Sequence, residues 1–214
     1  MILAAGIPAI ILAAGKSTRM GRPKALLPLG ATDTFLTHLV ATFRAAGVDD
    51  VVVVLGYAAP AIVEALERRD ALARVVVNKD YESGQLSSLV AGLQLVDRPG
   101  VVAAMMALVD VPLVSASTIA AVIERYRATR APIVRPVHGG RHGHPVLIDR
   151  ALFDQLRRSD PSQGAKAVVR AHASAAGEVE VDDEGAFVDV DTPAEYDALA
   201  ARMGLANQDR RRGA

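Results

Sequence analysis

The chain contains no cysteine and no tryptophan. Without thiols, disulfide staples and thiolate metal sites are excluded, and the cytoplasm is the expected compartment. Aromatic residues make up only 4% of the chain, against 51% apolar and 22% charged residues. A soluble core built from Ala, Val and Leu rather than from large rings follows. Neither sign of charge is in excess, because Lys+Arg and Asp+Glu both number 24. Nucleic-acid binders carry a basic surplus, so no nucleic-acid partner is expected and any anion site must be local. Long apolar runs are also missing. The opening stretch MILAAGIPAIILAAG lacks the basic start of a secretory signal, is too short to span a bilayer and contains Pro8. No membrane partner is expected.

What is present is alternation. Residues 9–12, 51–55, 74–77, 101–108 and 132–136 are short, β-branched or continuously apolar runs, as expected of strands covered on both faces. Between them lie segments with helical spacing. Phe35, Leu36, Leu39, Val40 and Phe43 form one stripe, closed by Gly47, and residues around Ile62 and Leu66 form another. Residues 86–95 and 118–126 continue the series. Strands are further expected at 145–148, 178–181 and 187–190, and helices at 151–157, 165–171 and 193–203. This βα alternation predicts an α/β fold, Rossmann-like, with a mainly parallel sheet and helices on both faces. Its ligand edge would lie at the carboxyl ends of the strands. No linker divides the 214 residues. We expect a leader over 1–7, one domain over 8–205, and a basic tail over 206–214 that frays.

Residues 12–24, LAAGKSTRMGRPK, follow the first strand directly. Gly15 and Gly21 allow close backbone approach to an anion, and Lys16, Arg19, Arg22 and Lys24 put four cations within nine positions. A triphosphate needs such a concentration of charged donors to replace its hydration. The P-loop motif fails because position 10 is Ile10 rather than Gly, and the dinucleotide fingerprint fails because position 17 is Ser17. The loop is therefore expected to bind nucleotide through Leu12, Ala13, Ala14, Gly15, Lys16, Ser17, Arg19, Met20, Gly21 and Lys24. Gly56, in the turn after the second strand, would help read the base.

Two carboxylates stand out. Asp110 closes the apolar run 101–108 and would sit at the ligand edge, where one or two carboxylates plus phosphate oxygens suit Mg²⁺. Asp191, in the segment VDVDTP, is a second candidate, but it could equally cap the helix beginning at Pro193, with Thr192 a rival for that role. Gln85, Ser87 and Ser88 offer neutral donors at a helix start, for a phosphate, a heterocycle edge or an ordinary cap. The Gly-rich segment 138–144, HGGRHGH, reads as a mobile lid or acceptor-binding loop rather than a transition-metal site.

The pattern L-A-A-G-x-S-x-R-M-G-x-x-K, met in full at 12–24, resembles the signature of the molybdenum cofactor nucleotidyltransferases and, more loosely, of sugar and isoprenoid-precursor nucleotidyltransferases. Asp110 in DVPL resembles the family's D-M-P-L element, with Val111 for the usual Met, and Asp191 in DVDTP resembles its second acidic element. The segments NKDYESGQLSSL at 78–89 and GHPVL at 143–147 extend the likeness from about Pro8 to Met203. The chain thus resembles the MobA-like NTP transferases, and within them the molybdenum cofactor cytidylyltransferases. The resemblance implies a nucleotidyltransferase (GT-A-like) fold, CTP and molybdopterin as substrates, and hydroxylases using the cytidine form as recipient molybdoenzymes.

On that reading Lys24 meets the α-phosphate, and Arg19 with the loop amides meets the β- and γ-phosphates, so both are the expected catalytic residues. Asp110 and Asp191 hold Mg²⁺, while Gln85, Ser87, Ser88 and His144 face the acceptor. GTP or a sugar phosphate remains an alternative substrate, although guanylyl relatives read LAGG where this chain reads LAAG. A cofactor-binding chaperone without turnover is the alternative from another class.

Overall fold

The computed structural model describes residues 6–203. The expected tail lies outside the described residues, as does the leader except for Gly6 and Ile7. Gly6 bridges to Val101 beside the sheet.

Strand β1 (Ala9–Ala13) is buried throughout and is flanked in parallel register by β4 (Val51–Leu55) and β6 (Ala103–Leu108). Side chains alternate between the sheet faces along each strand. Ala9, Ile11, Val51, Val53 and Met105 join the core beneath α1 (Phe35–Ala45), α2 (Ala59–Arg68) and α4 (Ala116–Thr129). Ile10, Leu12, Val52, Val54 and Met106 join the core beneath α3 (Gln85–Val96), α5 (Phe153–Arg157) and α6 (Gly164–His172). Two-sided burial explains why these strands read as unbroken apolar runs.

The strand order is β10-β7-β9-β6-β1-β4-β5, where β5 is Arg74–Val77, β7 Ile133–His138, β9 Val146–Asp149 and β10 Glu178–Glu180. The chain steps outward from β1 to β4 and β5, then returns across β4 and β1 to β6. Right-handed crossovers put the outward helices α1 and α2 on one face and the returning α3 on the other. The carboxyl ends of β1 and β6 therefore border the point where strand order reverses, the crevice in which such sheets bind ligands. The sheet is mainly parallel. Strand β9 alone runs antiparallel to both its sheet neighbours, β6 and β7.

Three expectations change. Residues 187–190 form no strand. A short turn at Glu184–Ala186 precedes an extended stretch whose link to the sheet side is Val190 N–H donating to the Asp110 carbonyl at 2.8 Å. Strand β5 is not covered on both faces. It is the edge strand, with Val77 50% exposed, because nothing in the order lies beyond it. The segment 138–144 is no loose lid. Strand β8 (Arg141–His142) pairs back onto β7, and Gly139 and Gly140, both with positive φ, make the tight turn between them.

A small third cluster fastens the outer layer. Met20, Leu27, Leu29 and Phe35 pack with Val190, Tyr196 and Leu199, joining residues 20–35 to the last helix, α7 (Pro193–Arg202). Strands β2 (Pro28–Leu29) and β3 (Asp33–Thr34) form a short hairpin within this layer. Among the described residues no helix is long and apolar enough to cross a membrane.

Candidate functional site

The loop after β1 is held by its own backbone. Ser17 adopts a left-handed conformation, its carbonyl accepts from Met20 and Gly21, and its hydroxyl accepts from Lys24 N–H at 3.2 Å. Met20 turns into the third cluster as an anchor, leaving Gly15, Lys16 and Arg19 exposed. The turn after β4 closes against this loop, with Tyr57 N–H donating to the Ala14 carbonyl at 3.0 Å. Gly56 is required there. A Cβ would lie 2.8 Å from the Ala14 carbonyl oxygen and 2.5 Å from Tyr81 Cγ. Leu12 is buried as part of β1, and its carbonyl accepts from Val109 N–H.

The four basic side chains part company. Lys24 is only 7% exposed, and its ammonium hydrogen-bonds both Asp110 Oδ2, at 3.1 Å, and Asp191 Oδ1. Arg19 reaches the other oxygen of Asp191 at 2.8 Å. Lys16 turns away to an ion pair with Glu82, which raises the lysine pKa. Arg22 lies over the Tyr196 ring at 5.2 Å.

The competition for the cap of α7 has a clear outcome. Thr192 accepts from Glu195 N–H, while the Glu195 carboxylate accepts from the amides of Asp191 and Thr192. This reciprocal capping box leaves the Asp191 carboxylate free to turn inward. Its hydrogen bond from Lys24 holds its pKa below the ordinary carboxylate value, against the opposing effect of burial, with Arg19 adding to the shift.

Asp110 Oδ1 is shielded from solvent and has no hydrogen-bond partner among the described residues. A buried carboxylate oxygen without a donor, on a carboxylate that shares the Lys24 ammonium with a second one, belongs to the kind of hard-oxygen pair that suits a divalent cation. No group of three or more His, Cys, Asp or Glu gathers for a metal among the described residues. Such an ion would complete its shell with water and phosphate oxygens.

Beside Asp110 opens a pocket of about 170 Å³ lined by Leu108, His144, Ala186, Phe187 and Asp189 among others. His144 Nδ1 is buried without a partner among the described residues, and burial pushes the imidazole pKa down despite the Asp110 and Asp189 charges nearby. The ring is thus held neutral at physiological pH. Its neighbours His138 and His142 instead pair with Glu180 and Glu178 of the β10 strand.

Gln85 is exposed at the start of α3, whereas Ser87 and Ser88 are occupied locally. Both hydroxyls accept from the buried Asn78 side chain, at 2.9 and 3.1 Å, and Ser87 donates onward to the Asp80 and Gly84 carbonyls. These bonds organise the 78–84 turn that carries Tyr81 and Glu82 to the loop after β1. The sequence pattern leaves Asn78 unassigned, though Asn side chains commonly accept from the amide two residues on, here Asp80 N–H. Phe187 and Asp183 were also missed. The second of these accepts from Ser115 and Thr118 across the chain, which no local pattern announces.

Residues 9–176 match the sequence model of the family described as MobA-like NTP transferase domain. Nicotine blue oxidoreductase of Paenarthrobacter nicotinovorans is 31% identical over 195 residues, covering 87% of this chain and 92% of that protein. Molybdenum cofactor cytidylyltransferase of Escherichia coli strain K12 is 25% identical over 192 residues, covering 89% and 93%. Among solved structures, Rv0371c from Mycobacterium tuberculosis H37Rv superposes with a TM-score of 0.77 at 30% identity, over 93% of this chain and 100% of that one. Its complex with manganese gives 0.69 at 31% identity, over 91% and 97%.

Proposed function

The chain belongs to the MobA-like NTP transferase family, a family of nucleotidyltransferases, and from that premise we propose that it transfers CMP from CTP to the terminal phosphate of molybdopterin. The observation that carries this reading is the meeting of Lys24 and Arg19 with Asp110 and Asp191 at the mouth of the β1 loop. Cations for a triphosphate and carboxylates for its metal stand within contact of one another.

An oxygen of the acceptor phosphate attacks the α-phosphorus of the nucleotide, a new P–O bond forms, the α–β bridge breaks and pyrophosphate leaves. The acceptor is already ionised near neutral pH, so no side chain need remove a proton. Lys24 neutralises charge on the α-phosphate, and Arg19 with the amides of residues 15–21 binds the β- and γ-phosphates. Catalysis then rests on positioning and on fixed charge. Asp110 and Asp191 would hold Mg²⁺ or a similar divalent ion, which supplies further charge neutralisation to the phosphates. We assign reading of the base to the joined backbone of Ala14 and Tyr57, and Ala14 in place of Gly counts against guanine. The pocket around His144 and Phe187 receives the acceptor; Gln85, exposed at the start of α3, is assigned to the acceptor as well, and Ser87 and Ser88 support the turn before it.

Residues 8–205 form the catalytic domain on this reading. A pyrophosphate-release assay with Mg²⁺, molybdopterin and each of the four NTPs in turn tests it. CTP should be preferred. Preference for another NTP would overturn the choice of base, and no pyrophosphate from any of them would overturn transfer itself.

The similarity to nicotine blue oxidoreductase favours one second reading, an oxidoreductase acting on a compound held in the His144 and Phe187 pocket. Consumption of a reduced nicotinamide nucleotide without pyrophosphate release would select it.

A further inference from the structure

Lys24 stands where two roles conflict. Its backbone is fixed by the short turn Lys24–Leu26 and by the Ser17 hydroxyl, so only the flexible stem and ammonium can move. That ammonium is bonded to both carboxylates, while Arg19 covers the outer oxygen of Asp191. The cluster is therefore neutral as it stands, two carboxylates against two cations. A divalent ion held by the same pair would compete with the ammonium for carboxylate lone pairs and would face two uncompensated positive charges. A nucleoside triphosphate removes the conflict, because its phosphates offer both cations a new partner.

We propose that Lys24 is a placeholder cation that occupies the Asp110–Asp191 pair until a triphosphate draws it away, so that metal and nucleotide bind as a coupled pair. This rests on the reading of Asp110 and Asp191 as metal ligands. Coupling between two ligands is reciprocal, and values of about 5- to 150-fold are ordinary for it. Lys24 thereby suppresses metal loading in the absence of nucleotide and spends its charge only when substrate has arrived. The remaining Asp110 oxygen, buried without a donor among the described residues, is an acceptor that the lysine leaves unsatisfied and a metal could satisfy.

The experiment is Mn²⁺ binding, followed by the loss of the free-ion EPR signal, on the full chain without nucleotide. Wild type should bind weakly, and Lys24→Met at least about tenfold more tightly. Lys24→Met combined with Asp110→Asn should lose that gain. Thermal unfolding gives a second readout. Mn²⁺ should raise the Tm of Lys24→Met well above its value in EDTA while moving wild type little. Should Lys24→Met not fold, Lys24→Gln, which keeps a donor for one carboxylate, replaces it in both measurements.

Equal or weaker Mn²⁺ binding by the lysine variant would overturn the placeholder. If that equal binding is still abolished by Asp110→Asn, the carboxylates remain the metal ligands and only the placeholder falls. Binding that is indifferent to Asp110 in every variant would overturn the metal reading as well.

Discussion

Replacing Asp183 with Ala should loosen the segment that delivers Asp191 to the site. The Asp183 carboxylate accepts from Ser115 N–H at 2.9 Å, from the Ser115 hydroxyl at 2.8 Å, from the Thr118 hydroxyl at 2.6 Å and from Gly185 N–H at 3.1 Å. It thus ties the turn before residue 187 to the first turn of α4. Gly185 is pressed against that region so closely that a Cβ would lie 2.1 Å from the Leu113 carbonyl oxygen. In the Ala variant the two hydroxyls can turn to each other and to Ser117, which already lies 2.9 Å from Ser115. The lasting cost is the two backbone amides, each worth about 1–3 kcal/mol when left without a partner. Water reaches the half-buried turn and reduces this, so the total should be about 2–4 kcal/mol. That is a large part of an ordinary domain stability of about 5–15 kcal/mol, yet it leaves the protein folded. Tryptophan is missing from the chain, so far-UV circular dichroism in a urea titration is the appropriate assay. The midpoint should fall by about 1 M, and Asp183→Asn, which keeps one acceptor, should lose about half as much.

The same variant carries a pH signature. Burial pushes the Asp183 carboxyl up, but donation from Thr118, Ser115 and Gly185 outweighs it and holds the pKa below the ordinary value. Its contribution is therefore present above the unfolded value of about 3.9 and lost as pH falls through the lower folded value. The stability gap between wild type and Asp183→Ala should narrow in acid. A midpoint unchanged at neutral pH, or a gap that widens in acid, would refute the clamp.

Gly56→Ala should force the turn after β4 away from Ala14 and Tyr81, costing about 1–3 kcal/mol by overpacking and raising the KM for the nucleotide; an unchanged KM would remove this turn from the base site. Tyr126, buried in α4, donates to the Val102 carbonyl and to Asp149, and burial with the Asp149 charge raises its pKa to about 12. The folded state thus holds this proton more tightly than the unfolded chain. Stability should fall by roughly 2–3 kcal/mol as pH rises from about 10 to about 12, and Tyr126→Phe should lack that slope in alkaline denaturation.

Much of the architecture was legible locally. Strands β1, β4 and β6 announce themselves because burial on both faces demands unbroken apolar residues, and the helices because one apolar stripe must meet the sheet. The glycines and cations of residues 12–24 were enough to mark the turn after β1 as a candidate anion loop, since conformational freedom and charge are properties of the residues themselves. Strand β5 misled because an edge strand can carry the same valines as a central one, and residues 187–190 misled because alternation there serves packing around Val190 rather than a ladder.

The candidate site was decided elsewhere. Asp110 and Asp191 lie 86 and 167 positions from Lys24, so no window of sequence contains their meeting. Which of four neighbouring cations faces them depended on where Glu82 and Tyr196 came to rest. Whether Asp191 or Thr192 capped α7 depended on the reach of Glu195. Local chemistry determined what each residue could do; the reversal of strand order at β1, and the packing that follows from it, decided which of those abilities were brought together.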